Sequence, residues 1–227
     1  MSISDIIQVI LAILTFIGVG VALATTAWSI HAQNKQSLFE KRLEVYLLCK
    51  TIYGLIKENQ KIFDIRSQHG YPINIDFEFS WITNTDFFNG SPKIIFDIYN
   101  EEYRYKFLQK LEELGILSEK CILLFKKENG ERLSSFISSY CDVLRSMYSY
   151  QIVLNKMRND PTNEIIKANS KYGNSSMMPK DAKQLGQEYG EPKHRKKVLD
   201  DISELKRSFI ALKDTNILEK IKKQLIL

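Results

Sequence analysis

The sequence predicts an all-α protein in which one N-terminal transmembrane helix continues into a cytoplasmic helical bundle, and three observations predict it. Ile6 to Ile30 runs for twenty-five residues with Gln8 as its one strongly polar side chain, and no charge occurs between Asp5 and Lys35. Beyond that run, apolar residues recur at steps of three and four through most of the chain, the spacing of one helix face. Only residues 73–81 alternate with period two, so a strand there would have no partner.

A helix rising about 1.5 Å per residue needs roughly 20 apolar residues to cross about 30 Å of hydrocarbon, and Ile6–Ile30 supplies them. A cleaved signal peptide would carry a basic start and an apolar core of about 7 to 15 residues. Ser2, Ile3, Ser4 and Asp5 precede this run instead, and it is longer. A buried core helix would need a large surrounding domain, and an interfacial helix would need a polar face. A retained anchor is the expectation. Lys35, Lys41 and Arg42 follow the span while nothing basic precedes it, which places the amino terminus outside and the rest in the cytoplasm of a cell with an inner membrane. Trp28 and His31 then fall near the headgroups. Gly18 with Ala22, and Gly20 with Ala24, have the small-xxx-small spacing that lets helices approach closely in lipid, so a homo-oligomer is a candidate assembly.

The chain divides into an anchor, 1–33, a helical bundle, 34–170, a loop, 171–191, and basic C-terminal helices, 192–227. From Gln33 to about Arg66, Leu38, Val45, Cys49, Ile52, Ile56 and Phe63 mark one face of the first bundle helix, widened by Phe39, Leu43, Tyr46, Leu47, Tyr53 and Leu55. After the breaker Gln68–Pro72, the stretch Ile75–Thr83 reads as extended or a short helix. Ser91 and Pro92 have the chemistry of a helix start, and Ile95, Tyr99, Tyr103, Phe107, Leu111 and Leu114 follow as a stripe ending near Gly115. Ser118 is placed to cap a shorter helix closed by Asn129–Gly130. Leu133, Phe136, Tyr140, Leu144, Met147, Gln151 and Leu154 define the longest helix, ended by Asp160–Pro161. Past Pro192, Val198, Ile202, Leu205, Phe209 and Leu212 repeat as a packed seam, and Ile217–Leu225 forms a short basic amphipathic helix.

Charge and cysteines narrow the classes. Net charge is +5, and the excess lies from Lys167 onward, with 14 Lys and Arg against 8 Asp and Glu. Within it Lys193, Arg195, Lys196 and Lys197 make the densest cluster and Lys220, Lys222 and Lys223 a second, candidate contacts for anionic lipid or phosphate. The first cluster sits at a helix start, where the dipole disfavours cations. Cys49, Cys121 and Cys141 have no CxxC spacing and fall among apolar residues, which fits buried thiols in a reducing compartment and argues against a disulfide scaffold or structural zinc. No phosphate loop, GxSxG or HExxH occurs, and His31, His69 and His194 are scattered. No catalytic residue, metal site or cofactor is expected.

The segments Leu38–Tyr46, LFEKRLEVY, and Asn84–Gly90, NTDFFNG, placed after an apolar span, resemble uncharacterised bacterial single-pass membrane proteins with a KRxxVY-type helix. That resemblance covers about the first 115 residues and implies a cytoplasmic helical domain with no known catalytic residues. The functional expectation is a membrane-anchored interaction module, with the lipid bilayer, a protein partner or a second copy as its contacts. An oligomeric membrane-disrupting effector of an antiviral or toxin system is the alternative, and a membrane-tethered nucleic-acid-binding protein or nuclease the third.

Overall fold

The computed structural model describes residues 3–69, 75–164 and 180–226, which are all-α, with no strand among them. The elements are α1 (Ile3–His69), α2 (Asp76–Ile82), a 3-10 turn (Ser91–Ile95), α3 (Glu101–Leu124), α4 (Lys127–Arg158), α5 (Ala182–Glu188), α6 (Glu191–Asp214) and α7 (Ile217–Ile226). Contacts divide the chain into two units, Met1–Glu44 and Val45–Leu227.

The first unit is helix throughout its described residues, and its N-terminal part is long and apolar enough to cross a membrane. Every described side chain from Ile6 to Ile30 is exposed, Phe16 at 82% and Leu23 at 67% among them. The threonines of this stretch satisfy their hydroxyls on their own helix. Thr15 Oγ1 donates to Leu11 O at 2.8 Å and Thr26 Oγ1 to Ala22 O at 2.8 Å, so neither needs water.

The second unit is built around α4, which packs against α3 on one side and α6 on another. Its inward residues are those the periodicity marks: Leu133, Phe136, Tyr140, Leu144, Met147, Gln151 and Leu154 are all buried. Val198, Ile202, Leu205, Phe209 and Leu212 of α6 meet it with their seam fully covered. The α1 residues Val45, Tyr46, Cys49, Ile52, Leu55 and Ile56 complete the core, whereas Leu38, Phe39 and Leu47, expected on the same apolar face, are exposed. Tyr53 stacks on Phe209 at 4.7 Å and meets the edge of Phe136 at 6.2 Å, which locks three helices together. Ile217 and Ile221 hold α7 on the bundle by its apolar face.

The structure resolves the choice between extended chain and short helix at residues 75–83 and corrects several further expectations. Residues 76–82 are helix and not extended; residues 73 and 74 lie outside the described residues. Burial there follows the helical set Ile75, Glu78, Phe79 and Ile82, while Phe77 is 70% exposed and pairs one turn on with Trp81. The alternation of aromatics therefore came from both faces of a helix. The long helix after Ser91 is two pieces: Gly90, at φ 81, leads into the 3-10 turn, and Asn100 is the true N-cap of α3, accepting from Tyr103 N at 3.1 Å. Gly115 does not end α3, because Phe107, Leu111, Leu114, Leu117 and Cys121 continue one buried stripe across it. Ser118 caps nothing and instead joins Ser134 of α4, Oγ to Oγ at 2.8 Å, while Gly130 lies inside the first turns of α4. The segment expected as a loop over 171–191 contains α5, set by a capping box between Asp181 and Gln184; residues 171–179 lie outside the described residues.

Candidate functional site

Where α4 ends, α5 and the start of α6 fold back against it and leave a cleft of about 690 Å³. Asp160 makes the corner. Its Oδ2 accepts from Tyr189 Oη at 2.6 Å, and its Oδ1 accepts from the Thr162 amide at 2.7 Å and from the Thr162 hydroxyl. Three donors on one carboxylate hold its pKa below the ordinary Asp range, the Thr162 hydroxyl contributing most. The bond that Tyr189 donates to Asp160 pushes the Tyr189 phenol up. A parallel bridge between Asn163 and Lys180 closes the base, with Lys180 N donating to Thr162 O at 2.7 Å. Gly190, at φ 70, turns the chain from α5 into α6 where a side chain would strain the backbone.

Leu154 and Met157 of α4, Leu185 of α5 and Pro192 of α6 give the cleft an apolar wall. At its inner end Tyr150 Oη donates to Glu191 Oε1 at 2.7 Å, and Arg195 Nε lies 3.5 Å from the same oxygen. Burial first, and the Glu191 carboxylate second, raise the Tyr150 phenol well above its ordinary value, so it stays a donor. Arg158, Lys180, Lys183 and Arg195 stand in the lining against Glu164 and Glu191. Lys180 is paired with Glu188.

A second, polar groove of about 340 Å³ lies between α4 and α6, lined by Asp142, Arg145, Ser146, Ser149, His194, Lys197 and Asp201. It gathers carboxylates and a histidine, but its charges are compensated: Arg145 lies 3.3 Å from Asp142 and Lys197 lies 2.6 Å from Asp201. The Asp201 partner raises the Lys197 pKa. Among the described residues no group of three His, Cys, Asp or Glu is arranged to hold a metal ion.

The basic residues marked in the sequence do not form one site. Arg195 lines the apolar cleft and Lys197 the polar groove, each tied to an acid one turn away, which offsets the unfavourable dipole at the α6 start. Lys193, Lys196, Lys220, Lys222 and Lys223 are exposed and line neither. Gly18, Gly20, Ala22 and Ala24 are exposed, and a Cβ added at either glycine would meet nothing within 4 Å. Sequence reasoning missed Tyr150, Asp160 and Glu191, whose partners stand far off in the chain. The Asp181–Gln184 spacing and Gly190–Pro192 were the local signals that could have located the cleft. Comparison with protein families, curated proteins and solved structures finds no match to this chain.

Proposed function

We propose that this protein is a single-pass membrane protein whose cytoplasmic helical domain acts as an interaction module held at the bilayer surface. The observation that carries the reading is the contrast along α1: an uncharged apolar stretch with its described side chains exposed from Ile6 to Ile30, and a buried face from Val45 onward. Leaving an Ile or Leu side chain in water forfeits about 1.5–3 kcal/mol, a cost that lipid removes along the whole stretch. The internally bonded Thr15 and Thr26 hydroxyls support the same surroundings. Lys35, Lys41 and Arg42 support an inward carboxyl-terminal domain.

Tethering confines the domain to two dimensions and raises its effective concentration towards a membrane-bound partner or a second copy. The open surface around Gly18 and Gly20 suits close helix pairing. Protease added outside intact expressing bacteria, then after lysis, tests the arrangement. The reading expects the Val45–Leu227 unit to survive the first treatment and to be cut in the second. Digestion from outside would overturn it. Strong expression is expected to leave the membrane potential intact; its collapse would favour the membrane-disrupting reading.

A further inference from the structure

We infer that the cleft between the end of α4, α5 and the start of α6 binds a small soluble organic anion with an aromatic or short acyl body, for which a phosphate monoester is the probe. This goes beyond the anchoring of the chain and does not depend on it.

Size and chemistry set the class. A cavity of about 690 Å³ falls inside the range of ligand pockets, about 300–1,000 Å³. It has room for a ring system or one short chain, not for the paired chains of a phospholipid. Its wall of Leu154, Met157, Leu185 and Pro192 is apolar, so inorganic phosphate alone would leave that surface wet.

Charge sets the sign. Four cations in the lining face two acids, Glu164 and Glu191, of which Glu164 is exposed and has no ion pair among the described residues. Glu191 is committed to Tyr150 and Arg195 and only 14% of its side chain is exposed. Lys180 is committed to Glu188. Arg158 and Lys183 are exposed and have no carboxylate partner among the described residues. An anionic group at the mouth would meet these two side chains, while Glu191 holds the Arg195 guanidinium at the inner end. The polar groove along α4 and α6 offers no such excess, since each of its acids already has its cation. The two concavities thus differ in kind: one is self-neutralised, and in the other Arg158 and Lys183 face Glu164 alone, which leaves one positive charge in excess.

The test is isothermal titration calorimetry on the full chain in lipid nanodiscs, with 1-naphthyl phosphate as probe and 1-naphthol and inorganic phosphate as controls. The proposal expects saturable one-to-one binding of 1-naphthyl phosphate, with both controls at least about tenfold weaker. The double variant Arg158→Glu with Lys183→Glu should lose about tenfold or more in affinity at unchanged Tm, because both side chains are exposed. Lys222→Glu with Lys223→Glu, on α7, should change nothing. Met157→Trp, which fills the wall, gives a second check should the charge variant alter folding. No saturable heat, 1-naphthol binding as tightly as its phosphate, or equal losses from the α7 pair and the cleft pair would each overturn the proposal. None of these results bears on the membrane topology, which the protease experiment reads separately.

Discussion

Cys49 Sγ on α1 and Cys121 Sγ on α3 lie 3.6 Å apart, and both side chains are fully buried. The contact with Cys121, and burial after it, push the Cys49 thiol well up, and burial also raises Cys141. The thiolate is the reactive form. Because all three cysteines are buried, they are expected to resist a water-soluble disulfide reagent in the folded protein and to react once it is unfolded. Fast labelling of Cys49 or Cys121 in the native state would show that α1 does not pack on α3 as described.

Two glycines should respond to alanine with opposite signs. At Gly130 an added Cβ would lie 2.6 Å from Cys121 O, a backbone atom, so Gly130→Ala should destabilise by about 1–3 kcal/mol. At Gly115 nothing lies within 4 Å, and Gly115→Ala in the middle of α3 should stabilise by up to ~1 kcal/mol. Denaturant unfolding of the second unit's signal in the full chain reads both.

Tyr140 is wholly buried and donates its hydroxyl to the Ile82 carbonyl at the end of α2. Tyr140→Phe leaves that carbonyl without its donor and should cost about 1–3 kcal/mol. The loss should appear first as faster hydrogen exchange in α2, which this bond ties to α4.

Acid should loosen the corner at Asp160. Its folded carboxyl binds a proton more weakly than the unfolded one, whose ordinary value is 3.8. The stabilisation is therefore present above that value and is lost as pH falls through the lower folded one. Asp160→Asn should lower Tm near neutral pH and flatten its fall on acidification below about pH 4. An identical acid limb in the variant would remove Asp160 from the account.

Much of the fold was legible because long helices repeat their signal. Leu133 to Leu154 and Val198 to Leu212 each show a seam several turns long, and each is buried as spaced. Short elements gave too few repeats to decide: in α2 three aromatics two apart imitate a strand, although only Phe79 faces inward. Gly115 misled because a glycine inside a helix costs only about 1 kcal/mol, which the stripe on either side outweighs. The cleft was legible only in part. Arg195 stood out by its charge, but its setting depends on Tyr150 meeting Glu191, forty-one residues away, and on Asp160 meeting Tyr189, twenty-nine away. Pairings at such distances leave no periodic trace in the chain.

The central claim is that Ile6–Ile30 resides in lipid. Fractionation of expressing cells followed by an alkaline carbonate wash of the membranes tests it most directly. The account predicts that the full chain stays in the membrane pellet through the wash and enters solution only with detergent. Recovery of folded full-length protein in the supernatant without detergent would contradict it.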